Sequence, residues 1–79
     1  MIRFIVEKSI FCGRDENGKE HFIAQLTADE SSELAGVTEL NGRVFEAHSV
    51  ALCADGVALM LKSTGVWNDL SDGSEVPTA

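Results

Sequence analysis

The apolar positions of this chain fall into short runs punctuated by Gly-containing turns. Residues 2–6 (IRFIV) alternate loosely and favour β-branched and aromatic types, which predicts a first strand. Residues 9–14 (SIFCGR) and 20–26 (EHFIAQL) form two more runs around Asp15-Glu16-Asn17-Gly18-Lys19. Asn17-Gly18 reads as a type I′ hairpin turn, which needs positive φ at both central residues. That turn makes Cys12 face Ile23 and Phe11 face Ala24. Period-2 geometry then places Phe11, Phe22, Ala24 and Leu26 on one face, and Arg14, Glu16, Lys19 and His21 on the other.

Residues 27–36 (TADESSELAG) change character. Thr27 followed three positions later by Glu30 reads as a capping box, with Gly36 as the far cap, and predicts a short helix over 28–35. Asn41-Gly42 marks a further turn. Residues 49–62 predict a second hairpin about Asp55-Gly56, pairing Leu52 with Leu59 and Val50 with Leu61. Cys53 then faces Ala58, and Ala51 faces Met60. Both faces of this hairpin are apolar, so it is expected to be covered on both sides. Ser63-Thr64-Gly65 turns the chain into Val66-Trp67, completing a three-strand meander. Residues 71–79 (SDGSEVPTA) are small, polar and Pro-containing, and read as a loose tail.

The fold expectation is mainly β: a small antiparallel sheet, meander or barrel-like domain over residues 1–70, with one short helix. Seventy-nine residues bound the chain to one domain. So short a chain buries only about 60% of its unfolded surface, which favours oligomerisation. The second cover for the hairpin is therefore expected from another subunit. Ala51, Cys53, Ala58 and Met60 are the expected interface. Trp67, which also closes the core edge with Val50, Leu52, Leu59 and Leu61, stands at its end.

Six basic against thirteen acidic residues give a net charge of −7, which disfavours phosphate binding and hence direct contact with nucleic acid. The acids are spread through the turns and read mostly as solvated surface. Two cysteines are too few for a disulfide framework, and Cys12 and Cys53 read as free, buried thiols. The apolar run before Glu7 and Lys8 is too short for a signal peptide, and no run reaches membrane-spanning length. Synthesis in the cytoplasm, without a membrane partner, is the expectation.

No catalytic constellation emerges. His21 and His48 belong to no metal-binding pattern, and His21 reads as a strand-surface residue. His48 and Ser49 are sequence neighbours and would point to opposite strand faces. Phosphate-loop, CxxC and EF-hand patterns are absent from the sequence. No cofactor, metal site or enzymatic activity is expected.

The second half of the chain carries an ordered set of segments. Thr27-Ala28-Asp29-Glu30 through Leu34 forms a short acidic turn. Phe45 through Ala51 leads into the hairpin Leu52 to Leu61, and Lys62-Ser63-Thr64-Gly65-Val66-Trp67 closes it. From Leu26 onward this arrangement resembles small virion proteins of tailed bacteriophages and prophages, of head-fibre or appendage type. His48 stands where glycine is usual in that pattern, Ala58-Leu59 replaces an aromatic, and no proline follows Leu34. The resemblance implies a non-enzymatic structural or attachment module, often oligomeric, associated with a virion. The alternative expectation is a small acidic inhibitor that binds a basic host protein such as a nuclease.

Overall fold

In the computed structural model, which describes residues 1–76, the chain is mainly β, as expected. Seven strands form one open mixed sheet: β1 (Arg3–Arg14), β2 (Glu20–Ala28), β3 (Glu39–Leu40), β4 (Arg43–Phe45), β5 (Val50–Cys53), β6 (Ala58–Leu61) and β7 (Trp67–Asp69). The central strand is β2. β1 pairs antiparallel along one of its edges. The other edge takes β4 against Glu20–Phe22 and then β5 against Gln25–Ala28, both parallel. Glu20 N–H, Phe22 C=O, Ala24 N–H and Ala28 C=O all bond toward that second edge. β3 extends from β4, and β6 and β7 continue antiparallel from β5. The hairpin pattern announced the antiparallel pairs. It did not announce the two parallel ones, which join strands distant in sequence.

Changing partner along a strand leaves backbone groups without a ladder, and buried N–H groups must be satisfied. Two serine hydroxyls do this at the middle of β2. Ala24 N–H donates to Ser49 Oγ at 3.0 Å, between the β4 and β5 pairings, and Ser49 Oγ donates to Glu46 C=O at 2.6 Å. On the opposite edge, Gln25 N–H donates to Ser9 Oγ at 3.0 Å, and Ser9 Oγ donates to Ile5 C=O at 2.6 Å. That second site lies where β1 bulges between Ile5 and Ile10. Ser49 is fully buried.

The turns correct the expected registers. Asp15 N–H bonds to Lys19 C=O and Gly18 N–H to Asp15 C=O; Cys53, Gly56 and Val57 repeat the pattern, as do Lys62, Gly65 and Val66. Each is a three-residue loop, a type I turn followed by a left-handed glycine, rather than the two-residue type I′ turn expected at Asn17-Gly18 and Asp55-Gly56. The added loop residue slips the second hairpin by one: Val50 pairs with Met60, Ala51 with Leu59 and Leu52 with Ala58. In the first hairpin, a bulge between Phe11 and Gly13 shifts the pairing further, so Phe11 faces Phe22 and Ile10 faces Ile23, and a second between Ile5 and Ile10 brings Ile5 opposite Gln25. The type I′ turn is found at Asn41-Gly42, where φ is 50° and 81° and Leu40 pairs with Arg43.

A one-residue slip exchanges the faces of one strand relative to its partner. Ala51, Cys53, Leu59, Leu61 and Trp67 consequently join Ala24, Leu26, Ala28, Leu34 and Phe45 in the core. The expected face of Phe11, Phe22, Ala24 and Leu26 holds despite the changed register. Phe11 packs edge-on against Phe22 at 5.4 Å between ring centroids, and Phe22 against Phe4 at 5.0 Å. The inner face is covered by the segment after β2. There the expected helix over 28–35 is a 3₁₀ turn, Ser31–Leu34. Sheet pairing claims Thr27 and Ala28, so the cap moves to Glu30, and the Glu33 carboxylate accepts the Asp29 and Glu30 N–H groups. Trp67 Nε1–H donates to Val37 C=O at 2.7 Å and pins this cover over the core. Part of the expected loose tail, residues 71–79, is held against β7. Glu75 bridges Asn68, and Val76 N–H donates to Trp67 C=O, while residues 77–79 lie outside the described residues.

Ser49→Ala would strand the buried Ala24 N–H and should cost about 1–3 kcal/mol. Thermal unfolding should show this as a midpoint lower by about 4–8 °C per kcal/mol. His48 occupies the third position of the turn Glu46-Ala47-His48-Ser49 with φ 77°, where a type II turn favours glycine. His48→Gly should therefore exceed His48→Ala in stability by about 1 kcal/mol in urea titration.

Candidate functional site

The sheet has an inner face covered by its own chain and an outer face left uncovered among the described residues. Register partners share a face, so the outer face can be read across the strands. One row runs Ile5, Gln25, Val50, Met60, Asn68. A neighbouring row runs Arg3, Thr27, Leu52, Ala58. Ile10 and Ile23 pair on the other side, followed by His21 beside Val44. An antiparallel sheet with one wet face ordinarily turns polar residues outward. Here the middle of the wet face is aliphatic. Ile10 is 62% and Leu52 45% exposed, and Val50, Ala58 and Met60 are half-buried.

This arrangement divides the expected interface. Ala58 and Met60 lie on the outer face as expected. Ala51, Cys53 and Trp67 do not: they are buried at 0%, 8% and 1% exposure within their own chain. For Ala51 and Cys53 the three-residue loop at 54–56 is the cause, because it shifts β5 by one register step against β6. Val50 and Leu52, expected in the core, take their places outside. Ile5, Ile10 and Ile23 complete the patch and were missed. The signal for them was the alternation within IRFIV, SIFCGR and EHFIAQL, which leaves an isoleucine on the side opposite the phenylalanines.

One end of this face is charged. His21 lies between two carboxylates, with Nε2 2.9 Å from Asp15 Oδ2 and Nδ1 3.4 Å from Glu46 Oε1. The Asp15 hydrogen bond raises the His21 pKa, opposed by desolvation and reinforced by Glu46. Arg3 stands at the opposite end, beside Thr27 and Leu52, in a groove of about 280 Å³ that Asp29 also lines. The Met1 ammonium pairs with Asp29 at 2.8 Å.

Four aspartates serve the turns. Asp15 Oδ1 accepts the N–H groups of Asn17 and Lys19, Asp55 those of Ser31 and Val57, Asp69 that of Ser71 and Asp72 that of Ser74. Among the described residues no group of three or more His, Cys, Asp and Glu could hold a metal ion. No helix there is long and apolar enough to cross a membrane. Both cysteines are free. Cys53 is buried as expected, and desolvation raises its thiol pKa. Cys12 is exposed instead, because β1 is an edge strand at this point and its pairing slips between Phe11 and Gly13. His48 is exposed, and Ser49 is committed to the Ala24 amide, so the two make no catalytic pair.

No protein-family model, curated protein or solved structure matches the chain.

The titratable groups give stability a defined pH window. Hydrogen bonds lower the folded pKa of Asp15 (from His21), Glu33 (from the Met1 ammonium), Asp55 (from Ser31 N–H) and Asp72 (from Ser74 N–H). Their contribution is complete above the ordinary values of 3.8 for Asp and 4.5 for Glu, and is lost as pH falls through the folded values. His21 is shifted upward, so its contribution is complete below 6.5 and is lost as pH rises through its folded value. Urea midpoints should be highest between these limits and fall on both sides. His21→Gln should reduce the loss on the alkaline side and weaken the Asp15 share of the acid limb, leaving the shares of Glu33, Asp55 and Asp72.

Proposed function

We propose that this chain is a non-enzymatic structural or attachment module that self-associates through the outer face of its sheet. The observation that carries the proposal is the aliphatic patch of Ile10, Ile23, Val50, Leu52, Ala58 and Met60 on a face that the described residues do not cover. Contiguous exposed apolar surface of this kind marks interaction sites on small soluble proteins. A standard interface buries about 800 Å² per partner. That is about a sixth of the chain's 4729 Å² surface, an area within reach of one broad face of a molecule with extents of 35 × 24 × 18 Å.

The phage-particle context comes from the resemblance of residues 27–67 to head-fibre or appendage proteins. The backbone at His48 supports it. The position where that pattern carries glycine has a φ of 77°, a conformation that glycine adopts freely. Against the inhibitor alternative, several carboxylates that a basic partner would read are engaged as acceptors inside turns.

The test is sedimentation velocity over a micromolar concentration series. The wild-type chain should sediment as a dimer or larger. Leu52→Glu, at a position already 45% exposed, should leave the fold within about 0.5 kcal/mol of wild type and yield a monomer. A wild-type chain that stays monomeric throughout the series would overturn the reading.

A further inference from the structure

The outer face has an unpaired guanidinium at one end and an excess of carboxylate at the other, and this constrains how a second copy can sit on it. Along β2 the face runs from His21 through Ile23 and Gln25 to Thr27, about 20 Å at strand rise. At the His21 end stand Asp15 and Glu46, which leave one net negative charge even when His21 is protonated. At the Thr27 end stands Arg3, which makes no ion pair among the described residues, while Asp29 and Glu33 nearby share the Met1 ammonium. Between the ends the face is aliphatic, apart from Gln25, Thr27 and Asn68. The Asn68 Oδ1 atom is buried without a hydrogen-bond partner at the end of the central row.

We propose that the occupant of this face is a second copy of the chain, related by a two-fold axis that lies between the two faces, parallel to the sheet and across its strands, so that Arg3 of each copy meets the Asp15–Glu46 end of the other. This rests on the self-association reading and adds its orientation. The opposite arrangement, with like ends together, would bring the Asp15 and Glu46 carboxylates of both copies within a Debye length, in a chain that already carries a net charge of −7. A two-fold operation that reverses the strand direction removes that repulsion and adds two symmetric attractive pairings at the rim. The aliphatic rows supply affinity at the centre, and the charged ends select the register. Isologous packing of this kind closes on itself and yields a dimer rather than an open filament.

Charge reversal separates this arrangement from a simple net-charge effect. Arg3→Glu makes the chain more acidic, and Glu46→Lys makes it less acidic. If only net charge mattered, Arg3→Glu would loosen the dimer and Glu46→Lys would tighten it. The proposed orientation predicts that each variant alone weakens dimerisation by about three- to tenfold. The combined Arg3→Glu/Glu46→Lys variant keeps the wild-type net charge and should recover wild-type affinity. The measurement is sedimentation equilibrium at low salt, with circular dichroism confirming that each variant is folded. Tightening by Glu46→Lys, or failure of the double variant to recover, would overturn the orientation. If the wild type dimerises and Leu52→Glu is monomeric while both charge variants bind as wild type does, the orientation falls and the self-association reading stands. A monomeric wild type would remove both.

Discussion

Everything in this fold hangs on hydrogen bonding along both edges of β2. A strand of Glu20–Ala28 presents N–H and C=O groups alternately to left and right, and those that are buried must find partners within the protein. One edge is served by β1, which bulges between Ile5 and Ile10. The other is served by two short strands laid end to end, β4 and β5. Neither ladder is continuous. The breaks fall opposite Ala24 and Gln25, adjacent residues whose amides point to opposite edges, and a serine hydroxyl fills each. The side chains of Ser9 and Ser49 thus complete a backbone network that strand pairing alone leaves open. The bulge has a second effect: it interrupts the free edge of β1, and such interruptions discourage edge-to-edge aggregation.

With β2 fixed, the rest of the sheet divides into two unequal faces. The inner face receives a full aromatic and aliphatic core, roofed by the 3₁₀ turn and by Val37, which the Trp67 indole holds in place. Among the described residues no second roof is formed. The outer face keeps its isoleucines, Val50, Leu52 and Met60 without cover. Small domains bury a low share of their surface, and association with a copy is a physical route to burying more. The net charge of −7 opposes that association, which is why the distribution of charge across the face matters as much as its apolar centre.

The strands themselves were legible in the sequence. Runs of β-branched and aromatic residues between glycine-containing turns located β1, β2, β5 and β6, and the shared face of Phe11, Phe22, Ala24 and Leu26 followed from period-2 spacing. The core role of Trp67 was legible too. What the pattern did not settle was loop length. Asn17-Gly18 and Asp55-Gly56 look like two-residue turns, yet each glycine is the third loop residue and the residue before it has a negative φ. That single residue moved Ala51 and Cys53 inward and Val50 and Leu52 outward. Both faces of the hairpin are apolar, so hydrophobicity gave no check on the slip. The parallel pairings of β2 were also hidden, since β4 and β5 are joined to it by contacts far apart in sequence and no local signal encodes them. Cys12 lies in an apolar run that happens to follow the edge of the sheet.

Amide hydrogen exchange resolved by residue tests the dependence on β2 most directly. The account predicts that Ala24 and Gln25, though paired with side-chain oxygens rather than with a strand, exchange in the slowest class together with Leu26, at rates set by global unfolding. Exchange of Ala24 as fast as that of turn amides would contradict it, because β2 would then be open where its partners change.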